Sequence, residues 1–219
     1  MTRSYQQNCP IAKGLDILGE RWTLLILREL IGGPRRYGDL RATLPGIATN
    51  LLADRLRELE VARLVDRDEL PPPVARTVYT LSEIGWRKVL PVVKALAQFG
   101  LDMVEPDESA LTPLNGFLAG ILLAFEPAAA GDLQASYRVE IDDRRFEFAV
   151  NTGGLTAAQG PPAVTVTATA ADVITARLGA TAAERKAALR RVKFDGDTAA
   201  VDAMRRVFAL SGDPGLVAT

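Results

Sequence analysis

Apolar side chains recur every three or four residues through the first third of the chain, the spacing at which they share one face of a helix. This pattern predicts a first helix from about Pro10 to Ile31, which the glycines and proline of residues 32–34 end. A short second helix is predicted over Tyr37–Leu44, and a third from about Ala48 to Leu59 or beyond. The proline and glycine of residues 45–46 separate these two helices and predict a tight turn.

The third helix is amphipathic. Leu52, Leu56 and Leu59 lie on one face of its helical wheel, with Leu51 at the margin. The residues predicted to point the other way are Asn50, Asp54, Arg57 and Val61. A short helix, a tight turn and an amphipathic helix with a polar outer face form the outline of a helix-turn-helix.

Two strands are predicted next, over Leu64–Glu69 and Arg76–Leu81, joined by a connection that contains the prolines of residues 71–73. A hairpin directly after a helix-turn-helix predicts a winged helix. Ser82 then opens a long helix, which Pro91 is expected to kink or to interrupt with a restart. Its apolar stripe, predicted to form a dimer interface together with the first helix, consists of Trp86, Val89, Leu90, Val93, Leu96, Ala97 and Gly100.

Composition excludes several classes of enzyme. The 219 residues include no histidine and one cysteine, Cys9. A Ser-His-Asp triad, a Cys-His nucleophile and a histidine-containing zinc site all need histidine. One cysteine also excludes an intramolecular disulfide and a four-cysteine metal site. We therefore expect no catalytic residue, no metal site and no cofactor.

The chain divides at the polar, proline-containing stretch of residues 105–109, which predicts one domain over residues 1–105 and a second over 109–215. Residues 1–101 carry 15 Lys+Arg against 11 Asp+Glu, and the remainder is acidic. A mildly basic front half favours a nucleic-acid partner there, although scattered surface charge explains it equally well. The first ten residues lack the apolar run of a signal peptide, and the longest apolar stretch, Leu114–Phe125, is too short to span a bilayer. We expect a cytoplasmic protein without a membrane span.

Six motifs follow one another in the front half: Cys9-Pro10-Ile11, Leu18-Gly19-Glu20-Arg21-Trp22-Thr23, Arg36-Tyr37-Gly38-Asp39-Leu40, Pro45-Gly46-Ile47, Leu51-Leu52-x-x-Arg55-Leu56-x-x-Leu59 and Val78-Tyr79-x-Leu81-x-x-x-Gly85. Together they resemble the HxlR-type winged-helix transcriptional regulators over about residues 8–101. The resemblance implies a homodimer that places its third helix in the major groove of double-stranded DNA and its wing alongside. Two positions depart from the family pattern: Ala48 replaces the usual Ser or Thr cap, a role that Thr49 or Asn50 would then supply, and Arg63 replaces the glycine that commonly ends the helix.

Seven residues are candidates for DNA binding. Arginines at the start of the second helix attract phosphate through their charge and through the free N–H groups of that helix end. Donors on the outer face of the third helix suit base edges or phosphate, and an arginine at the wing tip could reach the backbone or the minor groove. Each arginine taken alone is better explained as a solvated surface charge, whereas the winged-helix context favours DNA binding for the group. The candidates are Arg35, Arg36, Tyr37, Thr49, Asn50, Arg57 and Arg76.

Cys9 has two possible roles. In some members of this family the corresponding cysteine is a redox or electrophile sensor, with a thiol activated near a helix N-terminus. The alternative is a small apolar residue that packs at the dimer interface. Arginines and lysines are not clustered beside Cys9 in the sequence, which favours packing.

The back half predicts a helix over Leu114–Phe125, a hairpin of strands around residues 136–141 and 145–150, a third strand at Val164–Val166 and one or two helices within residues 171–189. A fourth strand at Arg191–Phe194 and a closing helix from about residue 197 to 210 complete it. The run Val164-Thr-Val-Thr-Ala-Thr-Ala-Ala-Asp172-Val-Ile is followed by Val192-Lys-Phe194-Asp195-Gly196-Asp197 before an apolar helix. These runs resemble the sterol-carrier-protein-like fold over residues 111–212. The whole chain is therefore predicted as an α+β protein, a winged helix-turn-helix domain followed by an α/β sandwich of sterol-carrier-like type.

The sterol-carrier-like resemblance implies a tunnel for an apolar small molecule between sheet and helices. The same residues could instead fill a solid core. The candidate ligand-binding residues are Phe117, Leu118, Ile121, Phe125, Tyr137, Phe146 and Phe148.

The leading hypothesis is a homodimeric DNA-binding transcriptional regulator modulated by an apolar small molecule. The alternative is a lipid-binding or lipid-transfer protein that uses its winged helix only for dimerisation. A salt-sensitive duplex-binding surface distinguishes the two, because the first requires it and the second does not.

Overall fold

A computed structural model of the chain describes residues 4–70, 76–103, 121, 123–142, 144–152 and 154–215. Two compact units make up the chain, Met1–Val89 and Leu90–Thr219. The predicted fold class is confirmed: helices and a two-stranded hairpin form the first unit, and a five-stranded sheet with helices forms the second. The predicted boundary at residues 105–109 lies outside the described residues.

The first predicted helix is two helices, α1 (Pro10–Leu18) and α2 (Thr23–Ile31), so the prediction of one helix over this range was wrong. The chain breaks at Trp22, which has a left-handed backbone with φ of 79°. Apolar residues keep their helical spacing across the break, so the sequence pattern gives no sign of it. The guanidinium of Arg21 lies 5.5 Å from the centre of the Trp22 ring.

The helix-turn-helix consists of α3 (Tyr37–Thr43) and α4 (Thr49–Val61), as predicted. Gly46 provides the turn between them with φ of 90°, a left-handed conformation that favours glycine. Buried leucines from both helices and the turn anchor the motif in the core of the first unit; they are Leu40, Leu44, Leu52, Leu56 and Leu59.

The end of α4 is an αL turn built on arginine. Arg63 has φ of 57°, and its N–H donates to the carbonyl of Glu60 at 2.9 Å. The N–H of Leu64 donates to the carbonyl of Leu59 at 3.0 Å, and both leucines are buried. These two bonds form a Schellman motif, so the turn persists without the glycine that usually supports it.

The wing pairs β1 (Val65–Leu70) with β2 (Arg76–Leu81) in antiparallel register, Val65 opposite Leu81 and Leu70 opposite Arg76. Its prolines, residues 71–73, lie outside the described residues.

Helix α5 (Glu83–Gly100) begins directly after Ser82, which opens it as predicted. The Ser82 hydroxyl accepts from the Gly85 N–H at 2.9 Å and donates to the Arg63 carbonyl at 2.6 Å, so one side chain joins the helix start to the αL turn. A Cβ at Gly85 would lie 2.1 Å from the Leu64 carbonyl oxygen, and only glycine fits there. The helix continues through Pro91 and is followed by a 3₁₀ turn at Leu101–Met103, so of the two alternatives predicted at Pro91, a kink or a restart, the restart does not occur.

In the second unit, the short helix α6 (Pro127–Ala130) precedes a mixed sheet. The strand order is β5-β4-β3-β6-β7, with β3 and β6 parallel and the other pairs antiparallel. The predicted hairpin is β3 paired with β4, while β5 was not predicted. The strands are β3 (Ala135–Ile141), β4 (Arg144–Asn151), β5 (Gly154–Ala157), β6 (Val164–Ala168) and β7 (Lys193–Gly196).

Three more helices follow in the described part of the unit, α7 (Ala170–Leu178), α8 (Ala182–Leu189) and α9 (Thr198–Val207). Their caps are Thr169, Thr181 and Asp197, each of which accepts a hydrogen bond from a main-chain N–H of the first turn. Helix α9 packs on β6 and β7. The predicted helix at Leu114–Phe125 lies mostly outside the described residues. Of the part that is described, residues 121, 123 and 124 are helical.

Candidate DNA interface and candidate ligand site

The outer face of α4 is solvent-exposed as predicted. The side chains of Arg57 and Asp54 are 70% and 55% exposed and form an ion pair at 2.9 Å. Asn50 is exposed one turn before Asp54, and Val61 is exposed one turn after Arg57. A helix that buries its leucines and presents donors and acceptors on the other side can enter a groove without disturbing its own core.

The start of α4 carries no side-chain cap. Ala48 is the N-cap residue with an extended backbone, and no side-chain oxygen accepts a bond from the first turn. The expectation that Thr49 or Asn50 would supply the cap was therefore wrong; both are exposed. The main-chain N–H groups of this turn are consequently left for solvent or a bound anion.

Tyr37 is half-buried, and its hydroxyl donates to the main-chain carbonyl of Thr49 at 2.5 Å. The bond joins the first residue of α3 to the first residue of α4. The Tyr37 hydroxyl is thus engaged inside the motif, where it holds the two helices in register.

The two neighbouring arginines at the start of α3 differ in their surroundings. Arg35 is half-buried, and its main chain exchanges two hydrogen bonds with Tyr79 of β2, at 3.0 and 2.7 Å. Its guanidinium approaches the Gly32 carbonyl at 3.4 Å. Arg36 is exposed, and its main-chain N–H donates to the Asp39 carboxylate at 3.0 Å. Of the two side chains, Arg36 is the more accessible to phosphate.

The wing presents more negative than positive charge in its described residues. Arg76 is exposed at the start of β2, close to the wing tip. Asp66, Asp68 and Glu69 are exposed on β1, beside Arg67. Since carboxylates repel phosphate, the positive electrostatic potential around Arg76 and Arg67 is weaker than that around the arginines of the helix-turn-helix.

Arg55 is a residue that the sequence-based site prediction missed. Its side chain is 13% exposed and forms ion pairs with Glu20, at 2.9 Å, and with Glu58. Glu20 lies in the break between α1 and α2, so Arg55 ties α4 to that break. The signal was present in the sequence, because Arg55 falls between Leu52 and Leu56 on the buried side of the helix, where an arginine needs a partner.

Cys9 is the N-cap residue of α1, half-buried and free, and its side chain makes no capping hydrogen bond. Neither of its two predicted roles is tested by this geometry.

The candidate ligand residues of the second unit divide into two groups. Phe117 and Leu118 lie outside the described residues, and Ile121 is half-buried. The other four, Phe125, Tyr137, Phe146 and Phe148, are buried.

Phe208, which the sequence-based prediction missed, is the centre of an aromatic cluster. Its ring lies 5.7 Å from Phe125, 5.9 Å from Tyr137 and 5.6 Å from Phe148, and Tyr137 and Phe148 lie 5.6 Å apart. Arg177 donates to the Phe208 carbonyl at 3.3 Å and to the Pro214 carbonyl at 2.7 Å. Burial lowers the pKa of Arg177 to about 10.

The Tyr137 hydroxyl is buried within this cluster and has no hydrogen-bond partner among the described residues. Burial raises the pKa of Tyr137 above its ordinary value. A buried hydroxyl without a partner lowers the stability of a folded protein by about 1–3 kcal/mol, so an added hydrogen-bond partner would be stabilising here.

Within the described ranges, no group of three or more potential ligands is placed to hold a metal ion. No helix in that part of the chain is long and apolar enough to cross a membrane.

Comparison with known proteins assigns both halves. Residues 17–108 match the HxlR-like helix-turn-helix family, and residues 122–209 match the SCP-2 sterol transfer family.

Relatives of the first half are named as regulators. The uncharacterised HTH-type transcriptional regulator sll1512 of Synechocystis sp. is 39% identical over 49% of this chain and 79% of its own length. The HTH-type transcriptional regulator YodB of Bacillus subtilis is 40% identical over 35% of this chain and 70% of its own length. A solved structure of the reduced form of YodB is 33% identical to this chain. The match spans 47% of this chain and 100% of the YodB chain, with a TM-score of 0.40.

Proposed function

The chain belongs to the HxlR-like helix-turn-helix family, with an SCP2 domain behind it, and we propose that it is a homodimer that binds double-stranded DNA through α4 and responds to an apolar small molecule. It is a transcriptional regulator of the winged-helix type. We place its action in the cytoplasm, where its DNA partner would be.

The observation that carries the proposal is the exposed face of α4 on a firmly held helix. Tyr37 and Arg55 attach α4 to two different parts of the first unit, through the Thr49 carbonyl and through Glu20. Because a base-reading side chain must be placed within a fraction of an ångström, a rigid support favours recognition. Asn50 and Arg57 on the outer face are the side chains that we assign to the bases.

Asp54 shapes the specificity of this face. It holds Arg57 in an ion pair at 2.9 Å and can also accept a hydrogen bond from the amino group of cytosine. A carboxylate in the groove repels phosphate, so it disfavours binding that follows charge alone. Arg36 and the uncapped first turn of α4 then supply the phosphate contacts that position the helix.

Exposed apolar side chains support the homodimer. Ile11 and Leu15 of α1 are 74% and 44% exposed, one helical turn apart. On α5 and the 3₁₀ turn, the exposed positions are Val92, Leu96, Phe99 and Met103, which follow helical spacing. Trp86, Val89 and Val93 of the predicted stripe are buried in the single chain, whereas Leu96 of that stripe is exposed and belongs to this second row. An exposed apolar row of this length along α5 is best explained by a second copy of the chain.

Regulation by an apolar molecule is supported by the match to the SCP-2 sterol transfer family and by the buried aromatic cluster around Phe208. A ligand shifts DNA affinity only if it binds the two arrangements of the dimer with different free energies. The second candidate function, lipid binding or transfer with a winged helix used only for dimerisation, rests on the same cluster.

An unbiased selection separates the two functions. The full-length protein is incubated with a random duplex library at several salt concentrations, with and without a cell lipid extract. The proposed function predicts an enriched duplex sequence whose recovery falls with salt and changes with the extract. No enrichment over the library, together with retention of lipid from the extract, would favour the lipid-transfer alternative.

A further inference from the structure

The Tyr137 hydroxyl is a polar atom in an apolar place. Tyr137 is 1% exposed and stands on β3, directly opposite Phe148 of β4. Its ring packs against Phe148 and meets Phe208 at an angle of 87°, edge to face. The hydroxyl oxygen at the end of this ring is buried, and none of the described residues hydrogen-bonds to it.

A phenylalanine would fill the same place without this defect. The tyrosine instead keeps a hydrogen-bond donor inside an aromatic core, and a buried donor without an acceptor destabilises the folded chain. An acceptor brought by a ligand would satisfy it. Because burial raises the pKa of Tyr137, the hydroxyl keeps its proton and remains a donor through the neutral range.

The charges near the cluster indicate which acceptor fits. Arg177, whose guanidinium bonds the Phe208 carbonyl, is already engaged with that carbonyl and with Pro214. Arg138, next to Tyr137 on β3, forms an ion pair with Glu147 at 2.7 Å. Because side chains alternate along a strand, this pair lies on the opposite face of the sheet from Tyr137. Burying an ionised carboxylate beside Tyr137 would cost far more free energy than burying a neutral oxygen, which needs only the one donor that the hydroxyl provides.

We propose that Tyr137 is the polar anchor of the ligand site in the second unit, where its hydroxyl donates a hydrogen bond to a neutral oxygen on an otherwise apolar molecule. Ketones, esters and alcohols with a long hydrocarbon body have this chemistry. The inference rests on the apolar-ligand part of the proposed function and adds the group that orients the ligand.

The test compares two molecules that differ in one oxygen. Full-length wild type, Tyr137→Phe and the control Tyr79→Phe, which removes the same atom from the wing, are each loaded with the fluorescent probe N-phenyl-1-naphthylamine. The probe is then displaced with 2-undecanone or with undecane. We expect Tyr137→Phe to weaken 2-undecanone about 3- to 10-fold, the range of one hydrogen bond, and to leave undecane unchanged. Tyr79→Phe should change neither.

Thermal unfolding of the unloaded proteins gives an independent readout. An unsatisfied hydroxyl predicts that Tyr137→Phe melts at the same temperature as wild type or higher. A clearly lower melting temperature would mean that the hydroxyl is already paired in the folded chain and would overturn the proposal.

The binding outcomes separate the two levels of the argument. If both molecules bind and Tyr137→Phe leaves 2-undecanone unchanged, or weakens both molecules equally, the anchor is wrong while the apolar-ligand site stands. If neither the fluorescent probe nor either molecule binds wild type, the apolar-ligand part of the proposed function fails and the anchor fails with it.

Discussion

The hydroxyl of Tyr37 donates a hydrogen bond to the main-chain carbonyl of Thr49, and thereby joins the first residue of α3 to the first residue of α4. The angle at which α4 is presented depends on this contact, since the turn between the helices is only five residues long. Tyr37, a predicted DNA-binding residue, is in this structure a support for the residues that follow it.

Tyr37→Phe tests that support. The variant loses one hydrogen bond and keeps the ring, so the free energy of unfolding should fall by about 0.5–1.5 kcal/mol in chemical denaturation. Tyr5→Phe is the control, because Tyr5 is 60% exposed and should show no change. Equal stability of Tyr37→Phe and wild type would mean that the contact contributes nothing in solution.

Arg55 and Arg57 lie two positions apart on α4 and should behave in opposite ways. The Arg55 side chain is largely buried, and Arg55→Met removes its ion pairs with Glu20 and Glu58. We expect the free energy of unfolding to fall by about 1–3 kcal/mol. Arg57→Met removes an exposed pair and should change stability by less than about 0.5 kcal/mol. The same loss for both variants in urea denaturation would refute the structural role of Arg55.

The contrast between these arginines shows what the sequence could predict. Helical spacing placed Leu52 inside and Arg57 outside, and both predictions are confirmed. The partner of Arg55 could not be found in this way, because Glu20 lies 35 residues earlier and only the folded chain brings them together.

Other elements escaped prediction for local reasons. The left-handed backbone of Trp22 interrupts the helix, although apolar residues continue at helical spacing on both sides of it. Strand β5 contains one large apolar residue, Leu155, which is too few to show the alternation typical of a strand. The role of Phe208 depends on packing against strands some 60–70 residues earlier in the chain. Periodicity reports which face of an element is buried and cannot report what covers it.

The dimer seam can be tested on α5. Phe99→Glu places a charge on a side chain that is 68% exposed in the single chain and covered in the proposed dimer, so dimerisation should weaken by about 10-fold or more. Gln98→Glu adds the same charge at the neighbouring exposed position and should leave the dimer intact. Val93 is unsuitable for this test, because it is already buried in each protomer.

Sedimentation velocity over a range of concentrations measures the effect. A dimer of unchanged affinity in Phe99→Glu, with the variant folded by circular dichroism, would exclude this face of α5 from the interface.

Acid should destabilise the second unit through Asp213. Hydrogen bonds from Arg185 and from the Gly215 N–H lower its pKa to about 2, and a hydrogen bond from Arg191 lowers the pKa of Asp172. The unfolded chain then takes up protons at a higher pH than the folded chain, so stability is full above about pH 4 and is lost as pH falls towards 2. In Asp213→Asn, urea midpoints measured between pH 5 and 2 should fall less steeply than in wild type. An identical pH dependence would remove Asp213 from this account.

The most direct test of the proposed function is the binding of one duplex by two arginine variants. We expect wild type to select an inverted repeat with half-site centres about 10 bp apart, one helical turn of DNA. Fluorescence anisotropy on that duplex should show that Arg57→Ala loses about 1–3 kcal/mol of binding free energy and its preference at one base pair of each half-site. Arg87→Ala, which removes the same charge from an exposed position of α5, should bind as wild type does. Unchanged affinity and an unchanged selected sequence for Arg57→Ala would contradict the assignment of the outer face of α4 to DNA.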